Sequence, residues 1–541
     1  MPLKLNSLVV RALFLVVPLL LFGLSRKVHN ASGDFSITYI DPEYLHLYNG
    51  IAIADGQLDV GYTAHPGTPL QYVIAVAARI HFAFADASSF VDHFIDHPQE
   101  YITSANVLLN LILSVCLFYL GLLTFRYSGS IAIALAVQLC VFGHYAIVFL
   151  TGRLFPEGLM LIPLLVVILL VIRNIYTDPR ITRKELLFFA LPIGFGIACK
   201  LTFAPLLFIP LILLRTNIRQ KVELVTYSLV AFLLFAYPVV LHFHDFYEWT
   251  GGMAVHSGKY GGGSKGFIDL EQAALNLKEL FTFDPRFFFV TLCACGIAIV
   301  SSFVPSSALN VTSGRIRRAI LAVSTALFVA VLLTIKHFAL HYFTPFYCFN
   351  VLLIVLAGIL LIRTGRNATF TARRMWIPFA MTLPLVLFGC KQTLEALFYQ
   401  QNITTEKTVA AMVVNAMITA QIPIVILAPY SGSPFVAYAH MNGLKMSYNA
   451  KSRFKDRLIE RFPMSYHYVQ WSPDLYFFEE ERSWKEVAAQ GIGRFYLYVG
   501  NEVSPGLDEV KARMSAAFGV YSINQLRITE QGVLWLVKLE Q

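Results

Sequence analysis

Residues 186–214 read LLFFALPIGFGIACKLTFAPLLFIPLILL, and how this run is divided decides the fold. Taken as one long helix, it reverses every later loop and puts the basic clusters around Arg315 and Arg363 on the wrong side. Taken as two short helices meeting at Lys200, it leaves all basic short loops on one side, as the positive-inside rule requires. Each half is then roughly 21 Å long, shorter than a ~30 Å hydrocarbon core. Lys200 therefore lies below the outer surface, where its ammonium needs a cavity or a counter-anion. Snorkelling to the outer interface is the other reading, and both stay open.

The rest of the chain supports a membrane setting. Of its 541 residues 57% are hydrophobic and only 14% charged, too apolar for an ordinary soluble protein. Apolar runs stand at about 8–24, 103–125, 131–150, 157–172, 186–199, 201–214, 222–241, 286–304, 319–335, 342–362 and 375–390. The expected architecture is a polytopic α-helical membrane protein of about eleven spans. The first run follows Lys4 and Arg11 but has no small-residue cleavage site, so it reads as an uncleaved helix. The net charge of +9 is spread between apolar runs rather than gathered in a patch. That is membrane topology, not nucleic-acid binding. The seven cysteines sit in apolar surroundings without a CxxC pair, which argues against a disulfide framework or a zinc site.

With the basic loops inside, the outer side collects a different set of residues. It holds Gly33–Tyr72, Arg153 and Glu157 in GRLFPEG, Lys200, the loop from about 242 to 285, and Lys336, His337 and His341 in KHFALHYFTP. Asp41-Pro42-Glu43 reads as a helix start, with Asp as N-cap and Pro at the first position. Tyr44, Leu47, Tyr48 and Ile51 share one face of that helix, which ends near Gly56. Thr68-Pro69 opens a second helix running to about Phe84. Both are short and amphipathic, suited to lie along the interface. The Gly-rich TGGMAVHSGKYGGGSKG lacks P-loop order. It is either a lid carrying His256, Lys259 and Tyr260 or a plain connector. Asp92, His93, Asp96 and His97 have the i, i+4 spacing of metal ligands, although an exposed loop is the favoured reading.

Chemistry concentrates in two groups. Asp41 and Glu43 are the candidate carboxylates; Asp41 can cap its helix with one oxygen and act as general base with the other. Asp34, Asp55 and Asp59 read as loop residues. His65, Arg153, Lys200, Lys336, His337 and His341 form the complementary cationic set, suited to an anionic leaving group such as a phosphate.

DPEY in the first outer loop, followed by GYTAHPGTPLQ, RLFPEG, KLTFAP and KHFALHYFTP in this order, resembles the GT-C superfamily of membrane glycosyltransferases. The likeness is to the bacterial branch related to protein mannosyltransferases and lipid A aminoarabinose transferases, and it covers roughly residues 1–391. The resemblance implies a polyprenyl-phosphate-linked sugar donor, a glycan, lipid or protein acceptor, and transfer with inversion at the outer face. It implies Asp41 as base, Glu43 as its acidic neighbour, and His65 in place of a basic residue that several members carry. HPGTP here departs from the Lys-Pro-Pro run of those members. A divalent metal remains an open requirement. The bacterial inner membrane is the expected location, with the active site on the periplasmic side.

Residues 392–541 change character. A helical pattern near 404–419, the strand-like IPIVILAP, and the later RFYLYV and VLWLVKL read as a small extracytoplasmic α/β domain. SGSP after the first strand is too weak a signal for a phosphate loop. The chain thus divides into a transmembrane catalytic domain, 1–391, and this domain, 392–541. The rival reading is a transporter or lipid flippase, which also holds charges in membrane cavities. It lacks a second broken helix to match the one at Lys200.

Overall fold

The computed structural model describes residues 8–36, 43–62, 66–177, 182–214, 217–257, 263, 265–266, 268–303, 311–336, 338–364, 374–419, 421–427, 433–445, 451–468, 474–478, 480–490, 493–500, 506–529 and 532–539. Two compact units emerge from the packing. One comprises residues 1–28, 63–70 and 107–396; the other comprises 29–62, 71–106 and 397–541. The expected boundary at 391 followed the loss of hydropathy. The packing boundary lies at 396/397, and the second unit also takes in residues 29–62 and 71–106, most of the stretch after the first helix.

The first unit is helical. Seven helices among the described residues are long and apolar enough to cross a membrane, or eight if the bent pair Ile131–Phe142 and Tyr145–Thr151 counts as one span. These make the chain an integral membrane protein. The remaining three of the eleven expected runs are also helical, but they are shorter or more charged: Arg183–Cys199, Leu201–Leu213 and Ile218–Phe235. The decisive run does break where expected. The helix ends at Cys199, Lys200 is extended at φ −164°, and a 3-10 turn, Leu201–Leu207, follows. Gly196 allows the reversal, because a Cβ there would overlap the ring of Phe203.

The expected long loop from 242 to 285 is largely helix, Phe243–Val255 and Leu270–Phe283. The two glycines of TGGMAV lie inside the first of these helices, where they lower propensity without ending it. Asn276 ties the second helix to the span Val311–Lys336 by donating to the Ile335 carbonyl at 2.8 Å.

The second unit centres on a seven-stranded sheet: β1 (Ile424–Leu427), β2 (Ser465–Tyr468), β3 (Leu475–Phe477), β4 (Glu480–Arg482), β5 (Arg494–Gly500), β6 (Tyr521–Thr529) and β7 (Gly532–Leu539). The order is β4-β3-β2-β1-β5-β7-β6. β1 runs parallel to β2 and β5, and the outer strands pair antiparallel. Every residue of β1 is buried, as a central parallel strand requires. The pattern near 404–419 is not a separate domain helix. It is the end of Trp376–Met417, a 42-residue helix that begins in the last apolar run.

Both first-loop helices are present, as Glu43–Ala54 and Thr68–Phe82. The first is not half-exposed, however, being buried on nearly every side. Helix Val436–Leu444 lies against it: a Cβ at Gly443 would overlap the ring of Tyr48, and Tyr48 Oη pairs with His440 Nδ1 at 2.6 Å. Helix Lys451–Arg461 adds arginines at i, i+4 and i+8. Arg453 pairs with Asp55, Arg457 Nε lies 3.4 Å from Asp92, and Arg461 Nη2 lies 2.6 Å from Asp96. The acids with metal-like spacing therefore serve an ion-pair ladder.

Each rung is partly solvated and contributes about 0.2–1 kcal/mol. Replacing Arg453, Arg457 and Arg461 together by alanine is expected to cost about 1–2 kcal/mol. The loss, read from a denaturant midpoint, should shrink in about 1 M salt; a salt-independent loss would mean that packing, not charge, holds this face. A second expectation concerns pH. His440 and His467 are buried, and burial pushes each down to about 3. His440 faces Tyr48, and His467 faces Tyr438 and the charge of Lys445. Both stay neutral in the folded unit while the unfolded chain takes up protons below about 6.5. Stability should therefore fall by up to about 1.4 kcal/mol per histidine per pH unit as pH drops below about 6.5. Tryptophan fluorescence across a denaturant series at pH 7.5 and 5 reads this directly, and His440→Phe should flatten the dependence.

Candidate functional site

Arg153 and Glu157 flank the start of helix Pro156–Thr177, with Glu157 in its first turn. There the exposed amide dipoles favour a carboxylate. Lys200 is the C-cap of Arg183–Cys199, where the carbonyl end favours a cation. These two helix ends meet, and the Lys200 ammonium donates to Glu157 Oε1. Both side chains are buried, with 1% of Glu157 and 4% of Lys200 exposed. The counter-anion that Lys200 requires is thus Glu157, and snorkelling does not occur.

His341 closes on the pair, and Arg153 adjoins His341 through the Phe155 ring. His341 Nε2 lies 3.6 Å from the same Glu157 oxygen, and half of this imidazole is exposed. The Lys200 ammonium sits 3.8 Å from the centre of the Tyr342 ring, a cation–π contact that holds it without neutralising it. The Arg153 guanidinium lies 5.8 Å from the Phe155 ring, which itself lies nearly parallel to the His341 ring at 6.5 Å. Lys200 against Glu157 is neutral, protonation of His341 would add a positive charge, and Arg153 brings another on the far side of Phe155. Such a cluster can hold a phosphate, and its partly exposed member marks the open side.

Of the remaining predicted residues, three are among those described. Lys336 donates to the Ala254 carbonyl at 2.8 Å and so caps the end of helix Phe243–Val255. Glu43 begins its helix in the second unit and is 5% exposed. His256 forms a single antiparallel bridge with Lys265, which closes the base of the Gly-rich segment. Asp41, His65, Lys259, Tyr260 and His337 lie outside the described residues. Among the described residues no group of three or more His, Cys, Asp or Glu is arranged to hold a metal ion.

Sequence reasoning missed Tyr342 and the pairing role of Glu157, because spacing says nothing about which helix ends meet. It also missed a second buried polar group in the first unit. His144 caps helix Tyr145–Thr151 by accepting from the Ala146 N–H, so its proton resides on Nε2. Its ring stacks on Tyr347 at 4.3 Å, and Nε2 lies 3.8 Å from Asp284 Oδ2. Asp284 accepts from Arg286 Nε at 2.7 Å. Through Tyr347 this group braces the short segment that begins with His341 and Tyr342. The one legible signal was Asp284-Pro285, a helix start of the same kind as Asp41-Pro42.

No protein-family model and no curated protein sequence matches this chain. Its fold is similar to that of ArnT from Cupriavidus metallidurans in the crystal structure bound to undecaprenyl phosphate. The TM-score is 0.50 at 11% identity, over 97% of both chains. The apo crystal structure of the same protein aligns over the same share at a TM-score of 0.49. At this identity the likeness concerns the fold, and it extends through the α/β domain that the sequence resemblance left uncovered.

Proposed function

We propose that this protein transfers a sugar from a polyprenyl-phosphate carrier to an acceptor at the outer face of the membrane. The observation that carries this reading is the buried Glu157–Lys200 pair, built at two helix ends inside an apolar unit, with the half-exposed His341 beside it. A chain of similar fold, ArnT, has been crystallised with undecaprenyl phosphate, which supports a lipid phosphate as the ligand. Fold likeness does not supply a function by itself; the cationic group is what suits the chemistry.

In the reaction, the acceptor oxygen attacks the anomeric carbon as the bond from that carbon to the phosphate oxygen breaks. The acceptor hydroxyl proton passes to a carboxylate, assigned to Asp41 with Glu43 as its acidic neighbour. The configuration inverts, and the carrier leaves as a phosphate monoester. The leaving phosphate gains a negative charge as the bond breaks. Fixed cations therefore stabilise the transition state more than the bound donor, which is the condition for catalysis. Lys200 is already desolvated, so little reorganisation is needed when the charge develops.

Two experiments bear on this. In the first, Lys200→Met alone strands the Glu157 charge and is expected to cost about 3–5 kcal/mol of stability. Adding Glu157→Gln should recover most of that stability. Undecaprenyl phosphate affinity should stay at least about tenfold down in the double variant, since the charge-assisted contact is gone. Recovery of both together would reduce the pair to a structural role. In the second, Asp41→Asn should abolish sugar transfer from a polyprenyl-phosphate donor in proteoliposomes while insertion and melting are unchanged. Wild-type turnover in that variant would remove Asp41 as the base, and lipid movement without a glycosidic product would favour a flippase.

A further inference from the structure

We infer that the α/β unit is part of the catalytic apparatus, with His440 and Gly443 as positioning residues that seat the acid-bearing first-loop helix. This rests on the glycosyl-transfer reading above. Helix Glu43–Ala54 is short, and an isolated helix of 12 residues is marginal in water. Its order must come from what packs around it.

What packs around it is largely the C-terminal part of the chain. Gly443 admits the Tyr48 ring against the backbone of helix Val436–Leu444. The Tyr48 hydroxyl pairs with His440 Nδ1 at 2.6 Å, and both residues are fully buried. Phe454, from the helix carrying the arginine ladder, meets the Tyr48 ring at 5.3 Å. Phe35, in the segment leading into the helix, packs on both Tyr44 and His440, each at 4.9 Å. The Ser433 N–H donates to the Ser36 carbonyl at 3.3 Å. Asp55, at the far end of the helix, pairs with Arg453. The segment is thus held before it starts, at its middle and just past its end. Glu43 is its first residue, and Asp41 stands two residues before that in sequence. A helix clamped at three points leaves the Glu43 carboxylate little freedom to drift. Near-attack geometry is sensitive to displacements of about 1 Å.

The expected signature separates placing the base from binding the donor. Gly443→Val drives a side chain into Tyr48. Tyr48→Phe is the milder change, removing one hydroxyl and leaving His440 Nδ1 buried without that partner. In both, kcat should fall, by roughly tenfold or more in Gly443→Val, while KM for the polyprenyl-phosphate donor and undecaprenyl phosphate affinity stay within about twofold. Hydrogen exchange should quicken in peptides covering Glu43–Ala54 and not in those covering Pro156–Thr177. The Tyr48→Phe/His440→Phe double variant replaces both polar partners by rings of similar shape, and it should recover both exchange protection and turnover. Unchanged exchange at Glu43–Ala54 in Gly443→Val would overturn the seat. Faster exchange with wild-type kcat would overturn its catalytic meaning. If the wild-type protein moves no sugar from any polyprenyl-phosphate donor, the transfer reading fails and with it the catalytic role. The exchange measurement needs no substrate and still decides whether the seat exists.

Discussion

A carboxylate and an ammonium removed from water together, Glu157 and Lys200, underlie both the topology and the site of the first unit. Either charge alone would cost several kcal/mol in these surroundings. Paired, and each at the helix end whose dipole favours it, they make the break after Cys199 tolerable inside an apolar unit. The break lets two short helices replace one long one. The same pair has His341 beside its carboxylate and Tyr342 against its ammonium.

The second unit solves a different problem. A short helix beginning at an acidic residue has little intrinsic stability, and the stretch after the first span has no core of its own. Burial within the unit that contains the sheet supplies both. The contacts are of three kinds: the close approach at Gly443, the Tyr48–His440 hydrogen bond, and the Asp–Arg ladder. Packing provides most of the holding, and the partly solvated ladder sets register more than strength. Histidines 440 and 467 are sealed inside this unit, where burial disfavours their protonated form.

Within the first unit, polar groups recur where spans bend or end. Gln138, just before the bend after Phe142, donates to the carbonyls of Phe14 and Leu117 at 3.0 and 2.9 Å. His144 caps the helix that resumes after that bend, while Asp284 caps the helix starting at Pro285. Backbone groups freed by a break in an apolar medium must find partners within the protein, and these side chains are among the means. Tyr347 links this scaffold to the residues beside Glu157. The precision of the cationic group therefore depends on residues with no direct chemical part.

Local pattern alone was enough for the helical membrane class, the break at Lys200, the helix starts after Asp41-Pro42 and at Thr68, and the resemblance to a fold that the comparison with ArnT bears out. These follow from hydropathy, dipole-compatible caps and the side preference of basic residues, all properties of neighbouring positions. Strands β1, β5 and β7 were legible for the same reason. By contrast, β3 and β4 are three residues each, and β6 is a largely polar edge strand, so none carries a periodic signal. Only the tertiary structure decided that Lys200 is neutralised by Glu157, that Asp92 and Asp96 face arginines rather than a metal, and that the first-loop helix belongs with the C-terminal domain. Each of these joins residues tens to hundreds of positions apart. A charge seeking a partner in a medium without water takes whichever partner the packing brings, and spacing along the chain does not record that choice.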